Sequence, residues 1–360
     1  MPTASGERRS ILLSLAVVAA GVAAALHHFP RQQAYAAEAQ QRERMAQAGR
    51  LQVIEHGVAM IDGLAVDARG RLFVSDQREN SVHAIDGAGK RTQFAGQTMV
   101  GGYPDPYSAT SLLSPSGLGA GGDGNLYIAD RGQLSGGCIN FSRIRQIAPD
   151  GKVSAIAHAD AAMDRASFPP DVTALAVGRN GDLYVQDQMY TYKLSSTGKR
   201  SQLPVPAAPR QDAPAEEERN RGLAAHPDGG VVVANMRHGV YRILPDQRAV
   251  PLASRGADCA LGASRASGNT RLARPCMINA LAVDARGRIF LWEGGRILRI
   301  DTDGAVSTVF NPVDAGPLAP DPPSTQDAPG LMALGPRGEI YLAQAMTLYK
   351  VTPWSRLRPR

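Results

Sequence analysis

Apolar and polar positions along this chain follow one repeated phrase. Leu64 to Asp76 reads LAVDARGRLFVSD, Leu281 to Glu293 reads LAVDARGRIFLWE, and four looser copies lie elsewhere. In each copy a short apolar run enters a glycine-containing turn and a second β-rich run leaves it, which is the signature of a hairpin. The turn glycines are Gly70, Gly124, Gly181, Gly229, Gly287 and Gly338, roughly 50 residues apart. A third apolar run follows, as at Ser81 to Ile85, Ile144 to Ile147, Gly239 to Ile243 and Arg296 to Ile300. A second turn and a fourth run then complete the unit. Four antiparallel strands in each of six repeats predict an all-β, six-bladed β-propeller over residues 51–353.

The last repeat is one strand short. It offers Leu331 to Leu334, Glu339 to Ala343 and Thr347 to Thr352, and then meets Pro353. The spare strand lies ahead of the first repeat, where Leu51 to Glu55 reads LQVIE. This strand is expected to pair as the outermost strand of the last blade and so close the ring.

Composition agrees with a turn-rich β protein: 360 residues, 43% of them hydrophobic, with 38 glycines and 25 prolines. The formal charge of +6 is scattered, apart from a basic tail over 354–360 with Arg356, Arg358 and Arg360. No stripe of basic and aromatic residues supports nucleic-acid binding. Arg8 and Arg9 precede an uncharged apolar run from Ile11 to Leu26, the layout of an export helix, so residues 1–31 read as a signal peptide or a signal anchor. Ala34 and Ala36 offer a cleavage site, and the arginine pair leaves a twin-arginine signal open. Residues 32–50, rich in Ala, Gln, Glu and Arg, are expected to form a polar helical stalk. Either reading puts the body outside the cytoplasm, tethered to the membrane or secreted. Cys259 and Cys276 flank a Gly-, Ser- and Arg-rich stretch, and a disulfide between them suits that compartment. Cys138 is left over, and no Cys/His spacing suggests a metal.

The stretch from Ser114 to Val153 contains P-S-G, G-N-L-Y-I-A-D, R-I-R and P-D-G-K. These elements resemble the NHL-repeat family of six-bladed propellers, and the resemblance spans about Leu51 to Pro353. It implies a binding or scaffolding module. Some relatives of this architecture are lyases or lactonases, so the resemblance leaves catalysis open.

Stacking the copies exposes two polar columns. Six residues after the turn glycine stand Asp76, Asp130, Asp187, Asn235, Glu293 and Gln344, where a side-chain oxygen can accept backbone N–H bonds and pin a loop. Eight residues before the glycine, where the innermost strand starts, stand Asp62, Ser116, Thr173, Arg221, Asn279 and Gly330. This ring should face one mouth of the central channel. The long insertions 97–113, 131–143, 157–170, 204–220, 254–275 and 311–329 fall on the same side. Long loops on a rigid scaffold are where function concentrates. A ligand is therefore expected at that mouth, framed by Tyr103, Tyr107, Arg131, Tyr190, His238 and Trp292 and by the Cys259 to Cys276 loop.

Two functions fit. One is a binding module for a protein, peptide or saccharide with no cofactor and no catalytic residues; the other is a metal-dependent lactonase, hydrolase or lyase. For the second, Asp62 and Asn279 offer oxygen ligands suited to Ca²⁺. In the lactonase-type relatives the metal is held by a Glu and by Asn and Asp of P-N-G and P-D-G motifs. Here Ile61-Asp62-Gly63 and Ile278-Asn279-Ala280 match only partly and the Glu motif has no counterpart. No nucleophile elbow, HExxH helix or phosphate-binding glycine loop is present.

Overall fold

A computed structural model describes residues 50–56, 58, 60–96, 112–132, 141–156, 172–194, 200–206, 220–253, 278–293, 296–310, 330–344 and 346–352. Blade 1 comprises β2 (Ile61–Val66), β3 (Leu72–Asp76), β4 (Ser81–Ile85) and β5 (Arg91–Gly96), and blade 2 comprises β6 (Pro115–Ala120), β7 (Leu126–Gly132), β8 (Phe141–Ile147) and β9 (Val153–Ala155). Blade 3 runs β10 (Ala174–Val177), β11 (Leu183–Gln186), β12 (Thr191–Leu194) and β13 (Arg200–Gln202). Blade 4 runs β14 (Asn220–Ala225), β15 (Val231–Asn235), β16 (Gly239–Ile243) and β17 (Ala249–Ala253). Blade 5 runs β18 (Ile278–Val283), β19 (Ile289–Glu293), β20 (Arg296–Ile300) and β21 (Val306–Phe310). Blade 6 combines β22 (Leu331–Leu334), β23 (Ile340–Gln344) and β24 (Thr347–Thr352) with β1 (Arg50–His56), which supplies its outer strand. The spare strand thus pairs as its sequence position predicts, with Leu51 opposite Val351 and Val53 opposite Tyr349. All six sheets are four-stranded, and the pairs within them are antiparallel, as in Leu64↔Val74 and Leu281↔Leu291.

The core lies between the blades, in six apolar clusters that each join two neighbouring sheets. Second strands are sandwiched on both faces, so β3, β11, β15 and β19 are buried at every position. Outer strands contribute through a shared irregularity. In blades 1, 4, 5 and 6 a β-bulge in the fourth strand turns one extra residue toward the next blade: Phe94, Leu252, Val309 and Ile54.

First turns of blades 1 and 5 are locked by one device. Asp67 Oδ1 accepts the amides of Arg69 and Arg71 at 2.9 and 2.8 Å, and Asp284 does the same for Arg286 and Arg288 at 2.9 and 2.9 Å. Gly70 and Gly287 follow with φ of 80° and 80°, which a side chain would strain.

The expected export helix (1–31), stalk (32–50, save Arg50 in β1) and basic tail (354–360) lie outside the described residues. Among the described residues no helix is long and apolar enough to cross a membrane.

Candidate functional site

The column six residues after each turn glycine does mechanical work. Asp76 accepts the amides of Arg78 and Glu79 at 2.9 and 3.1 Å, and Asn235 those of Arg237 and His238 at 2.8 and 3.0 Å. Asp187 takes those of Met189 and Tyr190. Each bond set pins the loop from second to third strand. Asp130 instead holds the chain arriving at its own blade, accepting from Leu113 and Ser114 at 2.7 and 3.1 Å, while its other oxygen pairs with Arg143 at 2.8 Å. Glu293 pairs with Arg296 at 2.8 Å.

The ring at the channel mouth is less uniform. Ser116 is buried and its single hydroxyl hydrogen is shared between the carbonyls of Ala129 and Val172, 3.1 and 2.9 Å from Oγ, tying blade 2 to the start of blade 3. Thr173 donates to the Gln186 carbonyl at 3.2 Å. Arg221 donates to Met236 Sδ at 3.0 Å. Asn279 is buried and its carbonyl accepts the Gly330 amide at 3.1 Å. Gly330 itself is required, because a Cβ there would strike the Trp292 ring. Asp62 forms an ion pair with Arg131 at 2.9 Å across the seam between blades 1 and 2, with side chains 22% and 12% exposed. Gln77, in the amide orientation that satisfies both its ends, donates to Asp62 Oδ2 at 3.0 Å and accepts from Arg131 Nη2 at 3.2 Å. A cation bound at Asp62 Oδ2 would compete with that guanidinium.

Two expectations need correction. Trp292 does not line the mouth: its side chain is fully buried in the seam between blades 5 and 6. Arg131 does not begin a loop, because β7 continues through it, with Arg131 opposite Ser142. His238 stays in the loop before β16, its ring 6.2 Å from that of Tyr241, edge on. Tyr103, Tyr107, Cys138, Cys259 and Cys276 lie outside the described residues.

A cluster in blade 1 went unread in the sequence. Asp76, Glu79 and His83 bring two carboxylates and an imidazole within 4.8 Å. His83 Nε2 is 2.9 Å from Glu79 Oε2 and 2.9 Å from Ser81 Oγ, and Arg91 lies 3.9 Å from the same carboxylate. Burial, and secondarily Arg91, hold the imidazole below its ordinary pKa against the pull of Glu79. Asp76 is engaged with backbone amides and Glu79 with His83, so the cluster is bonded within itself. The spacing D-x-x-E-x-x-x-H was its only signal, and His83 alone reads as a third-strand residue.

The faces also differ in what they expose. Six large hydrophobic residues are exposed among the described residues. Met60 stands just before β2, Met189 and Tyr190 lie between β11 and β12, Met346 lies between β23 and β24, and Val205 follows β13; all five are on the loop-rich side. Only Val250, within β17, is elsewhere.

Comparison with known proteins bears on the fold and the family. A family model described as the teneurin NHL domain matches residues 80–329. No curated protein matches the sequence. A protein of unknown function from Bacteroides thetaiotaomicron superposes with a TM-score of 0.58 at 14% identity, covering 85% of this chain and 76% of its own. A gluconolactonase from Xanthomonas campestris gives 0.54 at 13%, covering 86% and 92%. The virginiamycin B lyase of Staphylococcus aureus gives 0.50 at 13%, covering 84% and 99%. At such identities the likeness is one of fold.

Proposed function

This chain belongs to the teneurin NHL domain family, and on that premise we propose that it is an exported, membrane-tethered propeller that binds a protein or peptide through its loop-rich face. One observation carries the reading: five of the six exposed large hydrophobic residues among those described stand on that face. Isolated exposed apolar residues are ordinary, but their concentration on the side that also carries the long insertions points to an interaction surface. Three of them are methionines, whose unbranched, polarizable side chains adapt to varied apolar partners. They suit peptide side chains better than a saccharide.

The ring beneath serves as a rigid collar. Ser116 and Thr173 are bonded to backbone carbonyls, and Asp62 is committed to Arg131 and Gln77. That commitment favours binding over a metal-dependent lactonase, hydrolase or lyase that would need Asp62 as a ligand. Ca²⁺ retained through purification, and lost in an Asp62→Ala, Asn279→Ala double variant, would reverse the preference.

The direct test is affinity capture from envelope extracts with the full chain, beside a Met60→Glu, Met189→Glu, Met346→Glu triple variant. One partner recovered by the native chain and lost from the variant is the expected result. Equal recovery by both would refute the assignment, and recovery of none would move weight to a small-molecule role.

A further inference from the structure

The short-turn face, opposite the proposed docking surface, has a cavity of about 760 Å³ in the seam between blades 5 and 6, reaching the first turn of blade 1. That volume is in the range of small-molecule sites. Phe290, Val309 and Leu334 supply apolar lining, and the guanidinium groups of Arg286, Arg288, Arg299 and Arg337 outnumber the carboxylates of Asp67 and Asp284 there.

Two features keep this seam open. The first is the bulge residue. In the seam between blades 1 and 2, Phe94 lies against Phe73 with ring centroids 4.9 Å apart, and Arg71 covers both rings. In blade 5 the corresponding aromatic is Phe290, but the bulge residue is Val309, the smallest of the four. The second is the neighbouring turn. Gly151 of blade 2 packs on the Phe94 carbonyl, and Gly89 of blade 1 on that of Ile54, each too closely for a Cβ. Blade 6 has no such turn, because β24 and β1 come from distant parts of the sequence.

Charge differs as well. Ala84, paired with Phe73 in blade 1, is matched by Arg299, paired with Phe290 in blade 5. Asp123, before the turn glycine of blade 2, is matched by Arg337 in blade 6. Arg288, Arg299 and Arg337 have carboxylate partners at 2.6, 2.8 and 3.2 Å. The exposed Arg286 side chain has no ion pair among the described residues, only its backbone amide bonding to Asp284, and Arg299 Nε is buried without a hydrogen-bond acceptor. Arg288 also lies 5.8 Å over the Phe290 ring.

We propose that this cavity binds an organic anion, its apolar body against Phe290 and Val309 and its anionic group on Arg286 and Arg299. Guanidinium groups suit such an anion because their N–H fork matches the oxygens of a carboxylate, phosphate or sulfonate. The site is independent of the docking surface on the other face.

Titrating the full chain with anilinonaphthalene sulfonate, a fluorescent aromatic anion, tests the assignment. A saturable site is expected, weakened by about tenfold or more in Arg286→Ala, Arg299→Ala, the worth of one charge-assisted hydrogen bond. Val309→Phe, which reproduces the filled seam of blade 1, is expected to weaken it as strongly, with circular dichroism and melting showing that each variant is folded. The methionine triple variant should leave this affinity unchanged. Absence of saturable binding, or unaltered affinity in both cavity variants, overturns the proposal. Equal affinity for uncharged phenylnaphthylamine overturns the anion assignment.

Discussion

The seams between blades 1 and 2 and between blades 5 and 6 start from nearly the same words, LAVDARGRLF and LAVDARGRIF, and end as different objects. Their backbones agree: the same Asp-locked first turn, the same pairing of second on first strand, the same bulge in the fourth. One seam is filled by Phe73 on Phe94; the other holds a cavity of about 760 Å³. In a repeat protein the repeated residues build the frame, and the residues that escape the repeat decide what each interface can do. Blade 1 also has His83 where blade 5 has Leu298, a titratable group in place of an apolar one.

The largest effect should come from removing a third kind of seam, the closure itself. Deleting Leu51 to Glu55 strips β24 of its partner and takes Ile54 out of the core between blades 6 and 1. Melting of the whole ring should fall further than for any point substitution below, and an unchanged melting temperature would show that the closure strand is dispensable. Next comes exchange of the bulge residues. Phe94→Val should cost about 2 kcal/mol by leaving Phe73 facing a void, whereas Val309→Phe should be neutral or stabilise by about 1 kcal/mol in denaturant melts. Destabilisation by both would mean that the open seam is already closely packed.

The smallest effect is a pH dependence to which blade 1 contributes through His83. Because the folded-state pKa of His83 is lowered, the unfolded chain takes up its proton more readily. His83 therefore withholds no stability above the ordinary value of 6.5, and stability falls as pH drops through and below it. His83→Leu, the residue of blade 5, should shallow the decline of melting temperature between neutral and mildly acid pH. His226, also lowered chiefly by burial, titrates in the same direction and leaves a residual slope. An identical slope in the variant would exclude His83 as a contributor.

Much of the frame was legible in the sequence. Turn glycines, the missing fourth strand and the polar column from Asp76 to Gln344 all emerge once the repeats are aligned on one another. Orientation within the second strands was not, because β19 is buried on both faces and shows no polar alternation to tell where Trp292 points. The partner of Asp62 was hidden for another reason: Arg131 reads as the start of an insertion, and only the continued pairing of β7 with β8 carries it to the neighbouring blade. Bulge residues escaped too, since half-exposed outer strands show no strong period. The difference between Phe94 and Val309 therefore stayed silent until the two seams could be laid side by side.

Closure by β1 sets a timetable for synthesis. Arg50 to His56 leaves the ribosome ahead of every other strand of the ring, yet its hydrogen-bonding partner, Thr347 to Thr352, is the last of the ring's described strands to be made. At ordinary elongation rates the wait is on the order of tens of seconds. Throughout that interval β1 has no native partner, and once β24 appears its outer edge can pair with a foreign strand until β1 arrives. Closure of the ring therefore requires its first strand and its last to stay available to each other until synthesis of the last blade is complete.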